Sequence, residues 1–404
     1  MAVVDKIRQA CDKGGIETAT VYKNYADISG GKKMADKPLK LMIPGPVEVE
    51  QEVLAVMANP VMPHYGEAWT KLFNETIELL KSVFNTQGDV FLMVGSGSAG
   101  IDACIGSSLR RGEKILVGVN GFFGERMAII AEGYGLHVVR LEREWGAPIP
   151  AATIEQALRE HPDAKAVAMV HLETSTAIAN PVEVIGALVK EAGALFIIDS
   201  VSSLGGLPLK VDAWGIDLCA SASQKCLGAP PGLTPVSVSS AAWEAIMAND
   251  TPHGWYLDLK VWRQYAIDWA DWHPYPTTTA TNNILTLRAS LKRLLEEGLE
   301  ARLIRYRDLA LQLRRGLREI GMPPYTPDED LVPVLTPVCA PEGVPAGEVV
   351  EYMEQVQRIK IGPGLGEALQ DKIFRIGHMS PAVTSEDIEE VLQALAAFTP
   401  SWRG

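Results

Sequence analysis

The segment Leu195-Phe196-Ile197-Ile198-Asp199-Ser200 indicates the fold, because an unbroken aliphatic run predicts a strand that is buried on both faces of a sheet. Such strands are typical of parallel sheets that are covered by helices on both sides. The acid Asp199 would then lie at the carboxyl end of its strand. Ligands of open α/β sheets bind at that end, so Asp199 is a candidate functional residue.

A second charge follows in the polar turn Ser223-Gln224-Lys225, before the rigid loop Gly228-Ala229-Pro230-Pro231-Gly232. A lysine amine can form an imine with an aldehyde cofactor, and a carboxylate can hold a pyridine nitrogen protonated. Pyridoxal phosphate needs both groups. A single acid at a strand end is more often a helix cap, and a single loop lysine is usually solvated. The pair together favours the cofactor.

The size and charge of the chain limit its class. A chain of 404 residues predicts two domains, and 47% hydrophobic with 22% charged residues is typical of a soluble globular protein. The net charge of −13 argues against nucleic acid or an anionic membrane as a partner. No apolar run approaches the ~18 residues of a membrane span, and residues 1–30 do not have the pattern of a secretory signal.

The five cysteines indicate the compartment. They are scattered and have no metal-ligand spacing, so we expect no metal site, and a reducing compartment, the cytoplasm, is the expected location. They are Cys11, Cys104, Cys219, Cys226 and Cys339.

The pattern along the chain predicts an N-terminal arm (residues 1–40), a large domain (41–298) and a smaller C-terminal α+β domain with its linking helix (299–404). In the large domain, short apolar strands alternate with helical stretches, which predicts a mostly parallel, doubly wound sheet. The predicted strands of this sheet are 114–119, 137–141, 166–170, 194–198, 218–220 and 235–238. Further predictions are helices 285–297, 300–320 and 385–398 and strands near 332–338 and 372–376.

A glycine-rich turn, Gly95-Ser96-Gly97-Ser98-Ala99-Gly100, follows the apolar run 90–94 and matches the dinucleotide fingerprint of Rossmann dehydrogenases. That function also needs an acid at the end of the next strand, where Val117-Gly118-Val119-Asn120 has none. A single phosphate needs only backbone N–H groups at a helix N-terminus, with hydroxyl donors nearby. The turn therefore predicts a phosphate site at Ser96, Gly97 and Ser98, with a tight turn that binds nothing as the alternative.

Two segments, Asp199-Ser200-Val201-Ser202-Ser203-Leu204-Gly205-Gly206 and the run from Ser223 to Gly232, resemble the class V (fold type I) aminotransferases. The resemblance extends from about Leu41 to the C-terminus and is greatest to the alanine–glyoxylate and serine–glyoxylate branch. It implies a pyridoxal 5'-phosphate enzyme of fold type I in which Lys225 and Asp199 are catalytic.

The resemblance also assigns contacts to the cofactor ring. Phe123, in Asn120-Gly121-Phe122-Phe123-Gly124-Glu125-Arg126, corresponds to the aromatic residue that stacks on the pyridine face, although a plain core phenylalanine is the alternative. The hydroxyl of Thr174 corresponds to one that faces the phenolic oxygen of the cofactor. Glu173, beside it, is expected to be structural.

An arginine interrupts the apolar segment Phe374-Arg375-Ile376-Gly377-His378-Met379. A buried guanidinium must face an anion, which is either an internal carboxylate or the α-carboxylate of a substrate. The segment is similar to the Arg-Ile-Gly-x-Met motif of the family, which implies that Arg375 binds the amino or keto acid.

The resemblance further implies a homodimer with shared active sites. Tyr275 and Thr278 follow the tryptophan-rich stretch 262–272. In similar enzymes the matching residues reach the neighbour's cofactor phosphate, where they complement Ser96, Ser98 and Gln224 of that neighbour. The alternative is a solvent-exposed loop.

The expected reaction is a ping-pong transamination from a small amino acid, alanine or serine, to a small 2-oxo acid, glyoxylate or pyruvate. Transaminases of unusual amines (pyridoxamine–pyruvate, ureidoglycine–glyoxylate and 2-aminoethylphosphonate–pyruvate) are alternatives. A cysteine desulfurase is disfavoured, because Gln224 replaces the histidine expected before the lysine, and Cys339 lies next to an apolar run rather than in a mobile loop.

Overall fold

The computed structural model describes residues 38–251, 253–400 and 402. The predicted arm therefore lies almost entirely outside the described residues. The strands are β1 (Lys40–Met42), β2 (Asp89–Val94), β3 (Lys114–Val119), β4 (His137–Glu142), β5 (Ala166–Val170), β6 (Leu172–Glu173), β7 (Ile178–Ala179), β8 (Leu195–Asp199), β9 (Leu218–Ala220), β10 (Leu233–Val238), β11 (Leu335–Cys339), β12 (Ile359–Pro363) and β13 (Ile373–Gly377).

The helices lie between these strands and after the last of them. They are α1 (Gln51–Ala55), α2 (Glu67–Phe84), α3 (Gly97–Ser108), α4 (Phe122–Gly133), α5 (Ala151–Glu160), α6 (Val182–Glu191), α7 (Ser240–Ala248), α8 (Leu259–Asp268), α9 (Thr281–Glu297), α10 (Leu299–Glu319), α11 (Ala346–Gln355) and α12 (Ser385–Ala396), with 3₁₀ turns at Val56–Ala58 and Asp328–Asp330.

The main sheet has seven strands in the order β2-β10-β9-β8-β5-β3-β4. Strand β10 is antiparallel to both of its neighbours, and the other strands are parallel. Every residue of β5 is buried, as is the centre of β8, because helices cover both faces of the sheet. The predicted doubly wound sheet is confirmed. The carboxyl ends of β2, β3, β5, β8 and β9 meet at one edge.

A second sheet has the order β1-β12-β13-β11 and packs against α10, α11 and α12 around its own hydrophobic core. Strand β1 pairs with β12 in parallel, so Lys40–Met42, at the predicted boundary between arm and large domain, pairs with the C-terminal part of the chain. The domain boundaries themselves stay a prediction. Strand β12 was not predicted, because Lys360 and Gly362 interrupt its apolar pattern.

The two long helices after the main sheet lie close to their predicted bounds. Gly298 separates α9 from α10, and its φ of 84° is a conformation that favours glycine. Within the described ranges 38–251 and 253–400, no helix combines the length and the apolar composition needed to cross a membrane.

Candidate active site

A cavity of about 200 Å³ lies at the carboxyl edge of the main sheet. Every residue predicted to bind the cofactor from within its own subunit lines this cavity, and so do Val201, Ser202 and Arg126. The predicted residues in its wall are Ser96, Gly97, Ser98, Phe123, Thr174, Asp199, Gln224 and Lys225.

Lys225 follows β9, and its Nζ donates a hydrogen bond to the carbonyl oxygen of Pro44. Gly45 has a φ of 104°, a conformation that favours glycine. A Cβ atom there would lie 2.6 Å from Lys225 Nζ, so a larger residue would also displace the end of the lysine side chain. Burial lowers the pKa of Lys225 to about 8. A substantial fraction of this amine is therefore neutral, and basic, near physiological pH. The sequence did not indicate the contact with Pro44 and Gly45, which lie far from Lys225 along the chain.

Asp199 ends β8 and faces the same cavity. Its Oδ1 accepts a hydrogen bond of 2.8 Å from the backbone N–H of Val201. Burial raises the pKa of the Asp199 carboxyl to about 6, against the opposing effects of that hydrogen bond and of the cations Lys225 and Arg126. A cationic partner in the cavity, such as a protonated ring nitrogen, would favour the ionised carboxylate.

Helix α3 begins at the cavity immediately after β2. Its N-cap residue, Ser96, makes no side-chain hydrogen bond to the helix, so the hydroxyl and the first backbone N–H groups are available to an anion. A Cβ atom on Gly97 would lie 2.3 Å from Val201 Cγ2, so only glycine fits there. Gln224 Oε1 is buried and has no hydrogen-bond partner among the residues that the structure describes, although the amide lines the cavity. The hydroxyls and backbone N–H groups of this turn are donors that fit the phosphate end of pyridoxal phosphate, and the N–H₂ group of the Gln224 amide can add a further donor.

Glu173 is fully buried and accepts hydrogen bonds of 3.0 Å from the backbone N–H groups of Phe123 and Gly124. These two residues lie in the first turn of α4, whose positive end stabilises the carboxylate. Ser175 donates to the other oxygen through its N–H and its hydroxyl. Glu173 therefore fixes the start of α4 and the position of Phe123, which supports the expected structural role.

Arg375 lies on β13 with 5% of its surface exposed. Its Nε donates to the carbonyl oxygen of Pro363 and its Nη1 to that of Thr174, both at 2.9 Å. Among the described residues no carboxylate forms an ion pair with it, so the internal salt bridge is not found. Burial lowers the pKa of Arg375 to about 10, which leaves a cation at neutral pH. It can therefore bind an external anion.

Tyr275 and Thr278 lie outside this cavity. Tyr275 is 1% exposed. Its hydroxyl donates a hydrogen bond to the carbonyl oxygen of His64 and accepts one from Nε1 of Trp69. Its hydroxyl is thus already engaged within its own subunit. Thr278 is less constrained, since its Oγ1 lies 3.5 Å from His64 Nε2. The cross-subunit contact predicted for both residues stays a prediction, and Thr278 has the more available hydroxyl.

Lys225, Asp199 and the N-terminus of α3 meet at the carboxyl edge of the main sheet, and Arg375, on β13 of the second sheet, is hydrogen-bonded to Thr174 beside them. This arrangement fits pyridoxal phosphate. The model of the family described as aminotransferase class-V matches residues 47–390. The chain belongs to this pyridoxal-phosphate-dependent family, and the resemblance in its sequence is confirmed.

Individual proteins agree with this assignment. An uncharacterized aminotransferase of Methanocaldococcus jannaschii is 41% identical over 356 residues, covering 88% of this chain and 90% of that protein. The crystal structure of ureidoglycine–glyoxylate aminotransferase from Bacillus subtilis has a TM-score of 0.86 and 34% identity, covering 91% of this chain and 94% of that one. That of alanine–glyoxylate aminotransferase from Nostoc sp. has a TM-score of 0.86 and 33% identity, covering 91% and 96%. The chain is an aminotransferase.

Proposed function

We propose that this aminotransferase uses pyridoxal 5'-phosphate to move an amino group from a small amino acid, alanine or serine, to a small 2-oxo acid, glyoxylate or pyruvate. One observation carries the proposal. Lys225, Asp199 and the N-terminus of α3 line one cavity, and Arg375, which forms no ion pair within the described part of the chain, is hydrogen-bonded to Thr174 in its wall. The names of the similar enzymes support glyoxylate as an acceptor.

The cavity offers one partner for each functional group of the cofactor. Ser96, Gly97, Ser98 and Gln224 would hold the phosphate, and Phe123 would stack on the ring. Asp199 would pair with the pyridine nitrogen, Thr174 with the phenolic oxygen, and Lys225 with the aldehyde. When bound, the cofactor supplies an electron sink for the electrons of the bond that breaks.

The residues of the chain would then position the substrate and move its protons. Arg375 would bind the α-carboxylate through the N–H groups along the edge of its guanidinium that are not used by Pro363 and Thr174. Lys225 would remove the α-proton and return a proton later, because its lowered pKa makes the neutral amine available. The amino donor and the keto acceptor both carry an α-carboxylate, so both can use Arg375 in turn, as a ping-pong reaction requires.

A substrate screen tests the proposed pair. We expect alanine or serine to react fastest with glyoxylate or pyruvate, measured as keto acid formed from each donor. A faster reaction with ureidoglycine, pyridoxamine or 2-aminoethylphosphonate would instead establish one of the alternative transaminases. Sulfide release from cysteine tests the desulfurase, and its absence is expected, since Cys339 is held in β11 by pairing with β13.

Replacement of Arg375 by alanine should weaken every carboxylate substrate. We expect kcat/KM to fall by a factor that corresponds to about 2–5 kcal/mol of lost transition-state stabilisation, the range for truncating one partner of a buried charge pair. Arg375→Lys keeps the positive charge but not the paired N–H donors of the guanidinium, so its kcat/KM should lie between those of the alanine variant and the wild type. Steady-state kinetics with amino and keto acids measure both effects. Unchanged saturation by all carboxylate substrates would exclude Arg375 as the anchor.

Two inactive variants should complement each other, because we propose a homodimer in which Tyr275 and Thr278 act in the site of the neighbouring subunit. Exposed aromatic side chains near these residues, such as Tyr65 (54% exposed) and Trp272 (47%), fit a subunit interface. A Lys225→Ala subunit keeps its Thr278, and a Tyr275→Phe, Thr278→Ala subunit keeps its lysine. A mixed dimer should therefore contain a complete site and recover activity.

The conservative Tyr275→Phe change preserves the buried ring, which contacts Phe73 at 4.8 Å between ring centroids. Verified mixed dimers without recovered activity would contradict the shared site.

The cytoplasm remains our proposed location. The cysteines Cys104, Cys219, Cys226 and Cys339 are free thiols, as a reducing compartment would require.

A further inference from the structure

Two hydroxyl groups contact each other in the wall of the cavity. Thr174 follows β6 and Ser202 follows β8, and both side chains are buried, with 3% and 4% of their surface exposed. Thr174 Oγ1 and Ser202 Oγ are 2.6 Å apart, a distance typical of a strong O–H···O hydrogen bond. We call these two residues the hydroxyl pair. The sequence indicated Thr174 but not Ser202.

The protons of the hydroxyl pair can be counted. Each hydroxyl has one proton, and one of the two protons lies between the oxygens. The second has no good acceptor in the described part of the protein, because the carbonyl oxygen of Leu172 is 3.5 Å from Thr174 Oγ1 and Ser202 Oγ has no other partner there. Whichever residue donates to the other, one O–H remains available to an acceptor in the cavity.

We propose that Ser202 is a positioning residue, which holds the hydroxyl of Thr174 in the orientation that donates to the phenolic oxygen of the bound cofactor. The inference rests on the proposed function, in which pyridoxal phosphate occupies the cavity. The α3 terminus, Asp199 and Lys225 account for its phosphate, ring nitrogen and aldehyde. Arg126 also lines the cavity, and its guanidinium lies 5.0 Å from the ring centroids of Phe122 and Phe123. The hydroxyl pair is an uncharged donor with an unused O–H, and a charged oxygen is the acceptor that gains most from it.

The contacts around Ser202 explain how it can hold Thr174. The carbonyl oxygen of Ser202 accepts a hydrogen bond of 3.4 Å from Sγ of Cys226, the residue after the catalytic lysine. The carbonyl oxygen of Thr174 accepts from Arg375. Ser202 therefore connects the segment that carries Lys225 to the residue that holds the substrate anchor. A hydroxyl that accepts one hydrogen bond also becomes a stronger donor of the next.

The test is a pH titration of the visible absorbance of the enzyme loaded with pyridoxal phosphate. We expect Ser202→Ala to raise the apparent pKa of the bound cofactor by about 0.5–1 unit, because loss of a donor destabilises the ionised oxygen. Thr174→Val should raise it further, and adding Ser202→Ala to that variant should change nothing more, since the two hydroxyls act as a unit. Ser203→Ala is the matched control, because Ser203 follows Ser202 and its Oγ is buried with no hydrogen-bond partner among the residues described.

The outcomes separate this proposal from the one on which it rests. If the wild-type protein acquires no visible absorbance with pyridoxal phosphate, the proposed function is wrong. If it does, and Ser202→Ala titrates like Ser203→Ala, the role of Ser202 is overturned. An equal shift from Ser202→Ala with and without Thr174 would show that Ser202 does not act through Thr174, which also overturns the proposal. If the wild-type spectrum does not change with pH, the dissociation constant of the cofactor is measured instead. We expect this constant to be about 3–10-fold higher in Ser202→Ala and unchanged in Ser203→Ala.

Discussion

Replacement of Lys225 by alanine should abolish the visible absorbance of the bound cofactor and lower the transamination rate by at least about 10³-fold, since the lysine would be both the attachment point and the proton carrier. Burial lowers the pKa of this amine to about 8, so the wild-type protein has a neutral base available that alanine cannot replace. Absorbance after reconstitution with pyridoxal phosphate and single-turnover kinetics measure the two losses.

Matched variants distinguish loss of chemistry from loss of structure. Lys225→Arg keeps a positive charge that can still donate to the carbonyl of Pro44, but its guanidinium does not deprotonate, so it should be as inactive as the alanine variant. Lys190→Ala, on the exposed side of α6, should behave as the wild type. A Lys225→Ala protein that turns over near the wild-type rate would refute the assignment of the lysine.

The alternating pattern of the large domain was sufficient to predict its sheet. Strands β3, β5 and β9 have their predicted bounds, because continuous aliphatic residues in a covered parallel sheet leave a clear signal. Strand β12 left no such signal, and β1 is only three residues long. The pairing of β1 with β12 joins residues more than 300 positions apart, which no local pattern can indicate.

The same distinction applies to the site. Asp199 ends β8, the Ser96–Ser98 turn begins α3, and Lys225 lies in the turn that follows β9. The sheet topology therefore brings them together once the strand order is known. Gly45 and Ser202 belong to the site because of contacts between segments that are distant along the chain. Their residue types are ordinary for turns, and only the three-dimensional structure shows that one touches Lys225 and the other touches Thr174.

Asp199→Asn should retain the bound cofactor but lower the transamination rate by about 10³-fold. The amide can still accept the hydrogen bond from Val201, yet it cannot hold a pyridine nitrogen protonated, and the neutral ring is a poor electron sink. Asp199→Glu keeps the charge and should retain more activity if the longer side chain can reach the ring. Single-turnover rates measured at saturating cofactor give the comparison.

Stability measurements on the cofactor-free protein show whether Asp199→Asn acts through the fold. Burial raises the pKa of Asp199 from its ordinary value of 3.8 to about 6, so the folded chain binds this proton more tightly than the unfolded chain. The unfolding free energy of the wild type should therefore fall as the pH rises from about 4 to about 6, by about 2–3 kcal/mol from this residue. The asparagine variant lacks this penalty and should be the more stable protein at about pH 8, with the difference vanishing below about pH 4. Urea denaturation at both pH values measures it. An Asp199→Asn variant that is inactive and also less stable at alkaline pH would contradict the assignment, because the lost activity could then be attributed to a damaged fold. An inactive but more stable variant would mean that Asp199 is retained for catalysis at a cost in stability.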